Sequence, residues 1–428
     1  MKIMKFGSRG PQVQFLQLAL NRAGYGPLVT DGIFGYRTRS SVQAFQTGMG
    51  LGADGIVGPR TDRALMPWYT GFTRHTLRRG DSFYSIARMH HTTVRRIETA
   101  NPGLDPYNLP VGGTVIVPLS FPVVPTGIAW TSEVVARTVI GLAARYPFLE
   151  VDTIGRSVIG TPIPALSLGT GQNRVLYNAA HHANEWVTTP VLMKFTEELA
   201  AAYANDGTVW QYAAREVLAG TRFFIVPAVD PDGIDLVTGY LTDGRFYDSA
   251  RAIAADYPDI PFPAGWKANI LGTDLNLQYP AEWEQAREVK FAQGFVSPAP
   301  RDFVGTAPLS APEARAMYDF TLSVNPTLIL AYHTQGEVIY WKFLDYEPEN
   351  SRAIAYRFSA ASGYLVEETP YGSGFAGYKD WFIQNYDRPG YTIEACKGTN
   401  PLPLSQFERI YADNLPILVL GAVLTAGT

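Results

Sequence analysis

Apolar residues recur at helical spacing near the start of this 428-residue chain. Val13, Leu16 and Leu20 form one such series, and Val42 and Phe45 belong to a second. A spacing of three or four residues places apolar side chains on one face of a helix. The pattern predicts a small all-α domain at the N-terminus.

After residue 125 the pattern changes to short continuous apolar runs that alternate with helical stretches. One predicted helix, Pro190–Tyr203, follows Thr188-Thr189 and has Pro190 at its first position, where proline is tolerated. Alternation of strands and helices predicts an α/β domain. The strand-like runs are Val175–Ala180, Phe223–Val229, Thr327–Tyr332 and Tyr391–Ala395.

Composition narrows the class of protein. Cys396 is the only cysteine, which excludes an intrachain disulfide and a cysteine metal cage. The late apolar run Leu415–Leu424 contains Pro416 and Gly421 and is too short to span a bilayer. No apolar segment typical of a secretion signal begins the sequence. We therefore expect a soluble protein without a membrane span.

Charge is distributed unevenly. The first 120 residues carry 14 Lys and Arg against 6 Asp and Glu, whereas the remainder carries 21 against 33. A basic front part and an acidic back part predict different partners for each. No basic cluster is interleaved with stacking aromatics, so an anionic polymer other than nucleic acid is the expected partner of the front part.

The first 68 residues contain an internal repeat. Asp31–Thr38 recurs 23 residues later as Asp54–Thr61, with an Asp-Gly turn, a second glycine and a threonine expected to cap a helix. A small helical bundle with repeated turns would account for this pattern. The segment also resembles the bacterial peptidoglycan-binding domain over residues 5–66, and that resemblance implies binding to peptidoglycan.

Residues 73–118 predict a second module. Thr76–Ala87 indicates a strand, a Gly-Asp turn and a capped helix; a second helix should end at Asn101-Pro102, and Gly112–Pro118 should form a short strand. This βααβ unit resembles a LysM domain, which implies binding to glycans that contain N-acetylglucosamine. A role as spacer is the alternative, but two modules with the same ligand class argue against it. The predicted domains are 1–68, 72–119 and, after a Pro-rich linker, 125–428.

The candidate chemistry lies in the last of these domains. Only His181, His182 and His333 follow residue 91, and His182 stands three residues before Glu185. An imidazole and a carboxylate at this spacing can bind one ion, and a distant histidine can supply a third ligand, which leaves a fourth position open for water. A later carboxylate, Glu394, can take a proton from that water. His181 is expected to have a structural role, because the spacing to Glu185 favours its neighbour.

These residues resemble the zinc carboxypeptidase family of carboxypeptidase A type over residues 128–425. The motif His182-x-x-Glu185-Trp186, His333 after a buried strand, and Gly390–Glu394 carry the resemblance. It implies an α/β domain with a mixed sheet and one Zn²⁺ held by His182, Glu185 and His333, with Glu394 as the catalytic base.

The same resemblance assigns further residues. Gly272–Asn276 matches the family's substrate-carboxylate motif, which implies that Asp274 accepts a hydrogen bond from His182 and that Asn276 binds substrate. Tyr371 aligns with a mobile substrate tyrosine. Lys267 follows Trp266 at the place of an arginine that stabilises the oxyanion, although taken alone it would be interpreted as a surface lysine.

Two departures from the family pattern concern substrate choice. Leu277 stands where the family has an arginine that binds the terminal carboxylate of the substrate, and Asn184 replaces a second arginine. A guanidinium fork is not replaced by apolar or neutral groups. We therefore expect an endopeptidase that does not require a free C-terminus beside the scissile bond.

The Asp-Leu-Asn-x-Gln-Tyr-Pro segment and the domain order resemble bacterial γ-D-glutamyl-meso-diaminopimelate endopeptidases. This resemblance implies cleavage of the stem peptide of peptidoglycan, with Lys267 and Lys379 as anchors for its carboxylates. A metallocarboxypeptidase and a non-catalytic wall-binding or spore-coat protein are the alternatives. The expected location is the cell wall or the spore, or the sporangial cytoplasm in view of the N-terminus.

Overall fold

The computed structural model describes residues 2–426 and divides into two compact units. One contains Met1–Ala129 with Glu133–Glu150, and the other contains Trp130–Ser132 with Val151–Thr428. The first unit contains the elements α1 Pro11–Arg22, α2 Tyr36–Gly48, α3 Pro59–Thr70, β1 Phe72–Thr76, α4 Phe83–Met89, α5 Val94–Ala100, β2 Thr114–Pro118 and α6 Ser132–Arg145. Ser132, the first residue of α6, lies at the border with the second unit.

The internal repeat is explained by one hydrogen-bond arrangement that occurs twice. The side-chain amide of Gln17, on α1, donates to Asp31 Oδ1 (2.8 Å) and Thr38 Oγ1 (3.2 Å) and accepts from the Gly32 amide (3.0 Å). The equivalent bonds of the second copy join Gln46 to Asp54, Thr61 and Gly55. A buried amide that satisfies both a turn and the next helix specifies the geometry of each copy.

The predicted role of the repeat threonines as helix caps was wrong. Thr38 lies inside α2 and Thr61 inside α3, and the residues that precede these helices are Gly35 and Gly58, which have no side chain to cap them. Each threonine instead accepts a hydrogen bond from the buried glutamine of its copy.

The second module has the predicted βααβ order. Strands β1 and β2 pair antiparallel from Phe72↔Pro118 to Thr76↔Thr114. Ser82 caps α4, where it accepts from the Ser85 amide, and Thr93 caps α5. The two helices and the ribbon share one small core, formed by Leu77, Phe83, Ile86, Ala87, Ile97, Val115 and Val117.

The second unit is an α/β domain. Its strands are β3 Glu150–Arg156, β4 Pro162–Leu168, β5 Asn173–Ala179, β6 Thr208–Val209, β7 Tyr212–Ala213, β8 Thr221–Val226, β9 Leu328–His333, β10 Val338–Tyr340, β11 Leu365–Glu367 and β12 Gly390–Glu394. Its helices are α7 Thr188–Ala204, α8 Ala214–Gly220, α9 Pro231–Val237, α10 Arg245–Ala255, α11 Trp283–Ala292, α12 Pro312–Val324, α13 Ser351–Ser362, α14 Tyr378–Tyr386 and α15 Phe407–Val423. Short 3₁₀ turns occupy Ala183–Glu185, Leu275–Leu277, Tyr371–Ser373 and Leu404–Gln406.

Eight strands form one mixed sheet in the order β11-β10-β12-β9-β5-β8-β4-β3, which confirms the predicted fold class. The central strands β12, β9, β5 and β8 run parallel, whereas β10 and β4 are antiparallel to their neighbours β12 and β8. Every residue of β9 is buried, as expected for a central strand covered on both faces. The carboxyl ends of the parallel strands therefore meet at one edge, where ligands bind in such sheets.

The helix predicted at Pro190–Tyr203 begins two residues earlier, at Thr188. Pro190 is thus the third helical residue. It is tolerated there because the first amides of a helix have no carbonyl partner within that helix.

Candidate zinc centre

The ends of three neighbouring strands bring the predicted site residues together. His333 is the last residue of β9, and Glu394, the last residue of β12, stands beside it in the parallel register. His182 follows β5, and the 3₁₀ turn that starts at Ala183 places Glu185 on the same side. Long-range strand pairing thus joins positions that lie far apart in the sequence.

Three donor side chains, those of His182, Glu185 and His333, form a triangle of the size that a small cation requires. His182 Nδ1 and His333 Nδ1 lie 3.2 Å apart; Glu185 Oε1 lies 3.0 Å from the first nitrogen, and Oε2 lies 2.9 Å from the second. Ligands about 2.0–2.2 Å from a tetrahedral Zn²⁺ are separated by roughly 3.4 Å, so the triangle fits zinc. Burial of all three side chains leaves little water to compete for the donors.

The orientation of His182 is set by Asp274. His182 Nε2 lies 3.1 Å from Asp274 Oδ1, so this nitrogen carries the proton, and Nδ1 is the nitrogen that a metal would bind. The amides of Asn276 and Asp302 donate to the same carboxylate at 3.1 Å each. Burial alone would raise the pKa of Asp274, but His182 and Lys267 lower it, and the group stays ionised.

The pKa of Glu394 is shifted in the opposite direction to that of Asp274. Burial and the neighbouring charge of Glu185 raise its pKa to about 8, and among residues 2–426 no cation forms an ion pair with it. A carboxylate with a raised pKa takes up a proton near neutral pH, which is the property required of a general base.

Lys267 is not the surface lysine of the alternative interpretation. Its Nζ lies 3.1 Å from Glu185 Oε1, and its side chain is 19% exposed. Burial lowers its pKa, but the charges of Glu185 and Asp274 overcome this effect and raise the pKa above its ordinary value, although Arg301 opposes them. The ammonium group is therefore charged and lies beside the zinc donors.

A cavity of about 270 Å³ opens onto the zinc donors. Asn276 and Leu277 line it, and Leu277 presents an apolar side chain where the family pattern has an arginine. Polar and charged side chains line the remainder: His182, Lys267, Asp274, Lys290, Arg301, Asp302, His333, Tyr340, Thr369, Ser373, Lys379, Asp380, Thr392 and Glu394.

Four residues discussed from the sequence either lie outside this cavity or already form contacts within the protein. Tyr371 is 68% exposed, lies outside this cavity and has its hydroxyl 3.3 Å from the amide of Gln285. Lys379 lines the cavity, but its ammonium is buried and donates to Asp380 and to the Lys342 carbonyl. The other two are buried away from the cavity: Asn184 donates to the Ala264 carbonyl, and His181 pairs with the Tyr279 hydroxyl.

Sequence reasoning missed the group formed by Lys290, Arg301 and Asp302. Asp302 accepts from Lys290 Nζ at 2.6 Å and from Arg301 Nε at 2.5 Å, and its own amide donates to Asp274. No motif marks these residues. The sequence offers an adjacent Arg301-Asp302 pair there, but it lies 25 residues after Asn276.

The fold and the donor triangle define a zinc-dependent peptidase of the α/β class. Residues 136–416 match the family described as zinc carboxypeptidase, and the chain belongs to this family. Membership and the three donors confirm the predictions of a single zinc cofactor and of an enzyme.

Two relatives and one solved structure illustrate the likeness. The chain is 44% identical to Gamma-D-glutamyl-L-diamino acid endopeptidase 1 of Lysinibacillus sphaericus over 66% of this chain and 69% of the relative. It is 40% identical to the uncharacterized protein YqgT of Bacillus subtilis (strain 168) over 62% and 70%. Carboxypeptidase A from Helicoverpa armigera shares the fold with a TM-score of 0.55 at 16% identity, over 92% of this chain and 88% of that one.

The N-terminal modules match families as well. Residues 9–65 match a putative peptidoglycan binding domain, and residues 75–118 match the LysM domain. These matches indicate binding to peptidoglycan and association with the cell wall. No helix within residues 2–426 has the length and apolar character needed to cross a membrane.

Proposed function

We propose that the enzyme hydrolyses the bond between γ-D-glutamate and meso-diaminopimelate in the stem peptides of peptidoglycan. The observation that carries this proposal is Leu277, which lines the cavity beside the zinc donors in a chain that also contains two peptidoglycan-binding modules. An apolar side chain at this position cannot hold the terminal carboxylate that a carboxypeptidase recognises. The relative from Lysinibacillus sphaericus is named a γ-D-glutamyl-L-diamino acid endopeptidase, and this name supports cleavage after a γ-linked D-glutamyl residue.

In this proposal His182, Glu185 and His333 hold the metal, and Asp274 maintains the proton on the outer nitrogen of His182. Zinc supplies Lewis-acid chemistry and makes water a stronger acid at neutral pH. The buried donors and the hydrogen-bonded carboxylate keep that arrangement rigid before the substrate arrives.

Glu394 receives the proton of the attacking water and later passes it to the leaving amine of diaminopimelate. Glu394 is suited to both steps by its place, since it ends β12 beside His333 at the end of β9 and lines the cavity at the zinc donors. Lys267, beside Glu185, donates to the oxygen of the scissile carbonyl as negative charge develops there.

Substrate contacts are proposed for three further residues. Asn276 accepts from the Tyr378 amide at 3.0 Å, which orients its side chain at the cavity wall and leaves its amide nitrogen to bind substrate. Tyr371 must move into the cavity to reach a substrate. Lys379 would first have to exchange its contact with Asp380.

The remaining proposals concern organisation and place of action. We propose boundaries at 1–68, 72–119 and 125–428, with the first two domains holding glycan strands while the third cleaves peptides. A spore-associated or extracellular wall site is the proposed location, with the sporangial cytoplasm as the alternative.

The proposal is tested by incubating the purified zinc enzyme with L-Ala-γ-D-Glu-meso-diaminopimelate, with and without further D-Ala residues, followed by mass spectrometry of the products. We expect L-Ala-D-Glu from both stems and no release of phenylalanine from hippuryl-phenylalanine. Efficient release of phenylalanine would favour a metallocarboxypeptidase. Absence of bound zinc and of any cleavage would favour a non-catalytic wall-binding protein.

A further inference from the structure

The cavity is lined by four cations, and they differ in how many of their donors are already used. Lys379 and Lys290 are buried, with Asp380 and Asp302 as their respective partners. Lys267 is paired with Glu185, at the zinc donors. Each of these three ammonium groups already has a carboxylate partner within the protein.

Arg301 is different. Its side chain is 46% exposed, and only Nε is held, by Asp302 Oδ2 at 2.5 Å. Within residues 2–426 no acceptor pairs with its two terminal nitrogens. A guanidinium with Nε fixed and both terminal groups open is preorganised to bind a carboxylate through two parallel hydrogen bonds.

Asp302 is what orients this arginine. It is held by the buried Lys290 at 2.6 Å, and its backbone amide donates to Asp274, which in turn contacts His182. A chain of hydrogen bonds through Asp302 and Asp274 therefore connects Arg301 to His182, although Arg301 contacts none of the metal donors.

The position of Arg301 relative to Lys267 indicates which part of a substrate it meets. The Lys267 amide donates to the Pro300 carbonyl at 2.7 Å, so the residue before Arg301 is bonded directly to the backbone of Lys267. Lys267 is the proposed partner of the scissile carbonyl, which belongs to the acyl half of the substrate. In a γ-linked glutamyl residue the free α-carboxylate lies three carbons from that carbonyl, on the same half.

We propose that Arg301 is a specificity-determining residue that binds the free α-carboxylate of the γ-linked D-glutamyl residue. This inference rests on the proposed function and assigns the acyl-side specificity of the same site. The α-carboxylate assigned to Arg301 is a different group from the terminal carboxylate that the family arginine, replaced here by Leu277, would bind.

The test compares two stem tripeptides, one with the free α-carboxylate of D-glutamate and one with that group amidated. We expect the wild-type enzyme to prefer the free acid by about ten- to a hundredfold in kcat/KM, the range of a charge-assisted bond to a guanidinium. Arg301→Gln should lose this preference by slowing only on the free acid, and Arg301→Lys should retain part of it. Arg287→Gln is the matched control, since Arg287 is 47% exposed, is paired with Glu284 and lies outside the cavity.

A third substrate, amidated on the distal carboxylate of diaminopimelate, shows whether Arg301 recognises the glutamyl half or the diaminopimelate half of the substrate. Its rate relative to the free acid should be the same in Arg301→Gln and in the wild type. If Arg301→Gln instead changes selectivity for this group, or if the wild type cleaves free and amidated glutamyl substrates equally, the assignment of Arg301 is wrong while the proposed function stands. No cleavage of any of the three by the zinc enzyme would refute the proposed function itself.

Discussion

Replacement of Asp274 by asparagine tests whether this carboxylate supports the zinc centre. The change preserves side-chain volume and an acceptor for His182 Nε2, but it removes the negative charge. With Oδ1 kept as the acceptor for His182 and for the Asn276 amide, the new amide donor replaces Oδ2 and faces the backbone N–H of Asp302. The variant therefore weakens a metal ligand and introduces one unfavourable contact.

The expected magnitude follows from these contacts. Loss of a carboxylate that orients a zinc-bound histidine lowers metal affinity about 10- to 100-fold. At about 1.4 kcal/mol per factor of ten, this is roughly 1.4–2.8 kcal/mol. The donor–donor contact is expected to cost about 1–3 kcal/mol of folding stability in addition.

Zinc affinity is measured by competition with a chelating dye, and stability by thermal unfolding of the metal-free and zinc-loaded forms. Asp152→Asn serves as the control, because Asp152 is exposed and accepts a hydrogen bond from the amide of its neighbour Thr153. Zinc affinity of Asp274→Asn equal to that of the wild type would refute the argument that the Asp274 contact strengthens the site.

Three further predictions address catalysis, specificity and stability. Glu394→Gln should reduce kcat at least about 100-fold while bound zinc, measured by metal analysis, stays unchanged; retained activity would exclude Glu394 as the base. Leu277→Arg should shift preference towards stems that end at diaminopimelate, by about ten- to a hundredfold in relative kcat/KM from time courses of both stem lengths, and an unchanged ratio would contradict the proposed role of this position. Asp230 is fully buried and Oδ2 has no partner among the described residues, and burial with the nearby Glu313 raises its pKa well above the ordinary value. Because the pKa of Asp230 is higher in the folded state, the stability of the wild type is greatest below about pH 4 and falls as pH rises. Asp230→Asn should therefore unfold at a higher temperature than the wild type at about pH 8, with a smaller difference at about pH 5. Identical pH dependence of both proteins would show that Asp230 contributes nothing to the pH dependence of stability.

Local sequence patterns determined much of what could be predicted. His182 and Glu185 lie three residues apart, so one short turn suffices to direct both side chains to one ion. Apolar runs marked the central strands to within a few residues, because strands buried on both faces need continuous apolar sequence. The two copies of the repeat were visible for a similar reason, since one turn geometry requires the same residues twice.

Contacts between distant segments were decided only by the tertiary structure. Lys267 reaches Glu185, and Arg301 lies at the same cavity, because loops that carry no periodic pattern pack beside the strand ends. Thr38 was expected to cap a helix, but it lies within α2. There its hydroxyl accepts a hydrogen bond from the buried side-chain amide of Gln17 on α1. Periodicity describes which face of an element is apolar, whereas the neighbours that each polar side chain meets depend on how the elements pack.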